Sequence, residues 1–137
     1  MSTTYLDQTS AMAPETAAQA RLRLATERLA NARRTRGRKH HESVYFIVSL
    51  EGPERVKVGR STVPVGRART IQASSPVRVR LLCHVDAGGG LENELLAAAV
   101  AFRVWGEWHD AGAMDVFATV LFRHARRAES LPPRVFR

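Results

Sequence analysis

The sequence predicts an α/β (α+β) domain in which a small three-stranded, mainly antiparallel sheet is flanked by helices, with a basic helix at the N-terminus. Three observations support this prediction. Two segments rich in β-branched and aromatic residues are joined by a short turn, an alternating segment follows later, and helical patterns occupy the remaining length. The chain has 137 residues, which is enough for one domain of ordinary size.

The three strands are predicted at 44–50, at 55–59 and across 77–85. Turn residues at 51–54 join the first two strands into a hairpin. Apolar residues occupy every odd position of the third segment, which is typical of a strand with one buried face. Cys83 falls on that apolar face, where it acts as a small hydrophobic residue.

The register of the hairpin is predicted by matching its apolar faces. Pairing Phe46 with Val56 brings these faces together, whereas a slip by one residue separates them. The same register places Tyr45 directly opposite Lys57 on the other face of the sheet. A phenol beside an ammonium group can stabilise a phenolate or hold a phosphate. The alternative is a surface pair in which the lysine stem packs on the ring.

Helical patterns cover about 15–36, 64–73, 91–103 and 113–127. The first has a thin apolar stripe, an arginine-rich polar face and Pro14 at a favourable starting position. We therefore divide the chain into a disordered N-terminus (1–13), a basic helical arm and linker (14–43), a compact domain (44–127) and a basic C-terminal tail (128–137).

The positive charge is concentrated at the two ends of the chain. Residues 1–43 carry eight basic and four acidic side chains, residues 44–122 carry eight of each, and residues 123–137 carry five and one. Basic ends around a neutral middle favour a polyanionic partner, and DNA phosphate is the obvious candidate. The alternative is compositional bias, because Arg outnumbers Lys 19 to 2.

Several function classes are excluded by the pattern. No apolar run reaches the roughly 18 residues of a membrane span, and no phosphate-loop motif supports a nucleotide cofactor. The single cysteine cannot form an internal disulfide, and no Cys/His spacing fits a zinc finger. We therefore expect a cytoplasmic protein that does not bind membranes.

Five segments, in chain order, resemble the signatures of the GIY-YIG endonuclease superfamily. They are 44–47 (VYFI), 56–61 (VKVGRS), Arg67, Glu92 and 106–108 (GEW). The similarity covers about residues 44–122 and is greatest to the phage and bacterial branch, whose signatures read V-Y-F-I, V-K-I-G-x-S and G-E-W-F. This resemblance implies metal-assisted hydrolysis of a DNA phosphodiester.

The resemblance also implies catalytic roles for four residues. Tyr45 matches the tyrosine that activates or positions the attacking water, and Lys57 stands where the second motif has its tyrosine. Arg67 matches the helical arginine that contacts the scissile phosphate, for which a planar guanidinium is well suited. Glu92 matches the carboxylate that holds the divalent metal, Mg²⁺ or another cation such as Mn²⁺.

Two further residues are predicted to position the site, and a basic set to contact DNA. Gly59, at a strand end, permits close backbone approach to a substrate. Ser61 is a candidate cap for the helix that follows, with Thr62 as the alternative. The expected DNA-contacting side chains are Arg33, Arg34, Arg36, Arg38, Lys39 and Arg60.

Glu92 has a near neighbour, Glu94. Residues two apart point to different sides of a helix, so the two carboxylates are not a natural metal pair. Glu92 precedes Gly106 by 14 positions, as the branch pattern suggests, and is therefore preferred. Glu94 and Glu107 are the next candidates.

Three aromatic or heteroaromatic residues surround the GEW signature. Trp105 and Trp108 are expected to anchor the glycine turn by packing, with base stacking as the alternative. His109 stands where the branch has Phe, and we expect a partly buried ring in a turn, with a phosphate-binding or proton-shuttling histidine as the alternative.

The leading hypothesis is a metal-dependent DNA endonuclease or nickase. The alternative is a catalytically inactive DNA-binding module with the same fold. A third hypothesis is a regulatory protein whose N-terminal helix pairs with a partner.

Overall fold

The structure is a computed structural model that describes residues 14–34 and 42–132. The predictions for residues 1–13 and for the last five residues of the tail lie outside the described residues. The elements, in chain order, are α1 (Ala17–Arg34), β1 (Ser43–Ser49), β2 (Arg55–Ser61), α2 (Pro64–Ser74), β3 (Val79–Asp86), α3 (Gly89–Ala98), a 3₁₀ turn (Val100–Phe102), β4 (Arg103–Trp105), β5 (Trp108–Asp110) and α4 (Ala113–Ser130).

The described strands form one antiparallel sheet in the order β3-β1-β2-β5-β4. The predicted α+β class is confirmed, but the sheet has five strands instead of three. The two missed strands, β4 and β5, have three residues each, too few to show an alternating pattern. Gly106, with φ +57°, closes the hairpin between them.

The hairpin register differs from the prediction by two residues. Phe46 pairs with Val58 instead of Val56, and Tyr45 pairs with Gly59 instead of Lys57. Matching apolar faces cannot separate registers that differ by two, because side chains alternate with that period. For the same reason Tyr45 still shares a face of the sheet with Lys57.

The turn between the strands decides the register. The Ser49 hydroxyl accepts a hydrogen bond from the Arg55 N–H at 2.9 Å and donates to the Pro53 carbonyl at 3.0 Å. These bonds satisfy backbone groups inside the turn and set where β1 ends and β2 begins.

The main hydrophobic core lies on one face of the sheet, beneath α1 and α4. It is formed by apolar residues of β1 and β2 and of the two helices, among them Phe46, Val58, Leu22, Leu29 and Phe117. Leu22 and Leu29 are fully buried. The predicted domain start at residue 44 left this N-terminal helix in an arm outside the compact domain, whereas its apolar stripe is part of the common core.

Strand β3 contains a bulge that interrupts the predicted alternation. Phe46 pairs with Cys83, whereas the next residue, Ile47, pairs with Leu81, so Leu82 has no direct partner. Leu82 and Cys83 consequently both pack against the core.

His109 lies in β5 and is fully buried, so the expected partly buried ring in a turn is wrong. Its ring meets Phe117 edge-on, with the ring centroids 5.4 Å apart. The loss of solvation lowers the pKa of His109, which favours the neutral imidazole.

Candidate functional site

The second face of the sheet carries Tyr45, Ile47, Gly59 and Lys57, since directly paired residues project to the same side. The Tyr45 side chain is buried and crosses directly over Gly59. A Cβ atom at position 59 would lie 2.3 Å from the tyrosine oxygen. Glycine therefore leaves room for the phenol ring, and the close approach at this position is made by Tyr45.

Lys57 meets an acidic residue that comes from the turn between β4 and β5. Its Nζ donates a hydrogen bond to Glu107 Oε1 at 2.8 Å. Only 13% of the Lys57 side chain is exposed, so this ion pair is partly shielded from solvent.

Glu92 lies beside this ion pair, in the first turn of α3. Burial and the neighbouring Glu107 carboxyl raise the pKa of Glu92, while Arg60 and Lys57 act in the opposite direction. We call Lys57, Arg60, Glu92 and Glu107 the charged cluster. It brings together residues of β2, α3 and the β4–β5 turn.

The importance of Glu107 was underestimated from the sequence. It was considered only as part of the GEW signature and as a further candidate metal ligand. Its position beside Lys57 depends on the β4–β5 hairpin pairing with β2, where Lys57 lies opposite Trp108. The residue types of Lys57 and Glu107, 50 positions apart, carry no local signal of this contact.

Glu94 points away from the charged cluster, as the two-residue spacing predicted. Its carboxylate bonds His124 Nε2 at 2.7 Å and accepts from Arg123 Nη2 at 3.0 Å, both on α4. These partners, His124 first, lower the pKa of Glu94. The structure therefore separates Glu92 and Glu94 onto different sides of α3.

Arg67 is exposed in α2 and makes no side-chain hydrogen bond or ion pair within residues 14–34 and 42–132. The structure thus brings Tyr45, Lys57 and Glu92 into one region without joining Arg67 to them. Ser61 does not cap α2, because the residue at the N-cap is Val63. The Ser61 hydroxyl instead accepts from the Val63 N–H at 3.0 Å and shapes the turn before the helix.

Three of the expected DNA-contacting residues lie at one end of the sheet. Arg33 Nη1 donates to the Asp86 carbonyl at 2.7 Å, at the end of β3, and Arg60 pairs with Glu42 at 3.2 Å, at the end of β2. Arg34 donates to Asn31 Oδ1 at 2.8 Å in the last turn of α1. The other three, Arg36, Arg38 and Lys39, lie outside the described residues.

Ser43 marks this end of the sheet, because it pairs with both Ser61 and Asp86. Helices α2 and α3 each begin within three residues of the strand before them, so their N-termini also lie here. Helix N-termini and arginines both favour anions. We call this region the basic end.

Glu92 and Glu107 are the two carboxylates of the charged cluster and the candidates for a metal site beside Lys57. No group of three or more His, Cys, Asp or Glu side chains suited to a metal occurs in the described part of the chain. Carboxylate oxygens are nevertheless the ligands that Mg²⁺ prefers, and Mg²⁺ retains several waters. Burial first, and then the Glu107 carboxyl, raise the pKa of Glu92, and a cation between the two carboxylates would offset their repulsion.

The chain has no match among models of protein families, among curated proteins or among solved structures. None of the described helices combines the length and the apolar composition needed to span a bilayer. The fold and the site together define an α+β domain with a charged cluster beside a buried tyrosine and a basic end nearby.

Proposed function

We propose that this protein is a metal-dependent DNA endonuclease or nickase of the GIY-YIG type, which hydrolyses phosphodiester bonds. The observation that carries the proposal is the placement of Glu92 beside the Lys57–Glu107 ion pair, near the face that carries Tyr45. These residues come from separate elements, and all four match positions of the family signatures.

Each side chain has a defined task in this reaction. Glu92 and Glu107 would hold the divalent cation, which supplies charge stabilisation and a more acidic water when bound. Lys57 offers a positive charge to the phosphate oxygens. The Tyr45 hydroxyl, held over Gly59, orients the attacking water.

The basic end supports DNA as the substrate. Arg33, Arg34 and Arg60 lie there beside the carboxylates of Glu42 and Asp86, and the chain carries a net charge of +8. Phosphate contacts of this kind position a nucleic-acid backbone without reading its sequence.

A catalytically inactive DNA-binding module is the second candidate. Two observations favour it: Glu107 already pairs with Lys57, and Arg67 contacts no member of the charged cluster. Such a module would use the same basic end and would bind DNA without cleaving it.

Nicking of supercoiled plasmid, with and without Mg²⁺, tests the proposal. Glu92→Gln removes the anionic ligand with little change of shape, so we expect a loss of at least about 100-fold in nicking rate. Glu94→Gln is the matched control, because it makes the same change two residues away on the other side of α3. We expect that control to stay within about twofold of wild type.

Binding of Mn²⁺, followed by calorimetry, gives a second readout that does not depend on turnover. Glu92→Gln should weaken Mn²⁺ binding, and Glu94→Gln should not. An unchanged nicking rate in Glu92→Gln would refute the assignment of Glu92. DNA binding without any nicking by the wild type would establish the inactive module instead.

A further inference from the structure

A groove of about 360 Å³ crosses the same sheet face as Tyr45 and Lys57. One wall is formed by the C-terminal end of α2 and the chain that follows it, including Ile71 and Val77. The other wall is the β4–β5 hairpin, with Trp105 and Trp108. Its volume is comparable to that of one nucleotide, and most of its surface is apolar.

The hairpin side of this groove is a tryptophan pair. Trp105 lies opposite Trp108 across the two short strands, so both rings project to one side of the sheet. Trp105 is 68% exposed. The expectation that Trp105 anchors the turn by packing is therefore wrong, and a large aromatic surface faces solvent at the groove.

The groove lies next to Lys57 of the charged cluster. Lys57 is the direct cross-strand partner of Trp108, and Arg55 stands two residues earlier on the same strand and face. Arg55 lines the groove with its side chain 32% exposed, and its Nε lies 3.5 Å from Asp110 Oδ1. The acidic Glu51 also lines the groove and is paired with Arg78. A ligand lying on the tryptophans would thus have guanidinium and ammonium groups beside it.

We propose that this groove binds an unpaired nucleobase of single-stranded nucleic acid, which stacks on Trp105. The inference rests on the proposed function in one respect, namely that the chain handles nucleic acid. An exposed indole offers a π-face to any base, and the neighbouring Arg55 and Lys57 suit the attached phosphates. The proposal implies a substrate with a single-stranded, flapped or distorted region next to the Lys57 site.

An apolar peptide is the competing occupant of such a groove. A peptide needs only apolar contact, whereas a base needs an aromatic face. The positive groups along β2 and the net charge of +8 favour the nucleic acid.

Intrinsic tryptophan fluorescence reports specifically on binding in this groove, because both tryptophans of the chain line it. We would titrate the full chain with oligothymidylate of about ten nucleotides, in EDTA so that no cleavage occurs. An abasic strand of the same length provides the phosphates without bases. We expect oligothymidylate to quench the emission and the abasic strand to leave it nearly unchanged.

Fluorescence anisotropy of a labelled oligothymidylate then measures the affinity of each variant. Trp105→Ala should weaken binding by about 5- to 150-fold, as expected for one lost stacked base. Trp105→Phe should retain most of the affinity, and Trp105→Leu should lose it, because leucine keeps apolar surface but has no π-face. Val100→Ala is the control, because it removes an exposed apolar side chain that does not line the groove.

Equal quenching by the abasic strand, or wild-type affinity of Trp105→Ala, would overturn the inference. So would equal affinity of the Phe and Leu variants, which would indicate an apolar peptide site. Failure of the proposed function is distinguishable, because plasmid nicking plays no part in this assay. Quenching without nicking supports the groove alone, and nicking without quenching supports the nuclease alone.

Discussion

Replacing Gly59 by alanine tests how tightly the buried tyrosine is packed into the candidate site. The new methyl group would lie 2.3 Å from the Tyr45 oxygen, 2.4 Å from Cζ and 2.9 Å from Cε2. Ordinary contacts between such atoms are about 3.5 Å, so the ring or the strand has to move by about 1 Å. Tyr45 is only 2% exposed, so the ring cannot relieve the overlap by turning into solvent.

The expected cost follows from two opposing effects. Forcing a methyl group into a filled site costs about 1–3 kcal/mol. Replacing glycine in a strand recovers about 0.5–1 kcal/mol of conformational entropy. The overlap with Tyr45 is large and belongs at the upper end of the first range, about 2–3 kcal/mol, so Gly59→Ala should lower the free energy of unfolding by about 1–2 kcal/mol.

Urea unfolding followed by circular dichroism measures this loss. With a slope of about 2 kcal/mol/M, the midpoint should fall by about 0.5–1 M urea at an unchanged slope. Gly90→Ala is the matched control, because no atom lies within 4 Å of a Cβ at that position in the first turn of α3. That control should raise the stability slightly, by up to about 1 kcal/mol.

A double-mutant cycle identifies the clash. In the Tyr45→Leu background, Gly59→Ala should cost less by at least about 1 kcal/mol, because the shorter side chain leaves room for the methyl group. A midpoint for Gly59→Ala at or above that of wild type would refute the reasoning. The same loss in both backgrounds would show that the cost does not come from the ring.

Two further predictions concern the core. Leu29→Ala should lower the free energy of unfolding by about 2–5 kcal/mol, while Leu24→Ala, 53% exposed on the same helix, should stay within about 0.5 kcal/mol. Urea unfolding measures both, and equal small losses would show that α1 is not part of the core. Burial raises the pKa of the Cys83 thiol to about 12, so native Cys83 should react with a disulfide reagent at pH 8 at least about 100-fold more slowly than in urea. Equal reactivity of Cys83 in the two states would contradict its burial. Because the pKa of Cys83 is higher in the folded than in the unfolded chain, the stability that the protonated thiol contributes is lost as the pH rises from about 9 towards 12.

The local elements could be predicted because their signals lie within a few neighbouring residues. The pattern predicted a helix over 64–73, and α2 spans Pro64–Ser74. It predicted a helix starting at 113, and α4 spans Ala113–Ser130. The helix expected over 91–103 is instead shorter, Gly89–Ala98, because a 3₁₀ turn and β4 take up the rest.

The candidate site was predictable only in part. Helical geometry separated Glu92 from Glu94, and the partners of Glu94 on α4 agree with that separation. The alternation of side chains placed Tyr45 and Lys57 on one face, although the register was wrong by two residues. Glu107 could not be placed beside Lys57 in this way, because their contact requires a pairing of β2 with a three-residue strand.

By itself the sequence determined the α+β class, most of the helices and strands, and the faces of β1 and β2, because residue periodicity and turn chemistry act locally. Tertiary structure alone decided the bulge in β3, the burial of α1 and the exposure of Trp105. Each of these depends on which distant surfaces meet, whereas the register of the hairpin follows from the hydrogen bonds of Ser49 within its own turn. Alternation within a strand fits several registers that differ by two residues, and an apolar stripe on a helix can pack against more than one apolar surface. Only turn hydrogen bonds and packing across the whole chain select one arrangement.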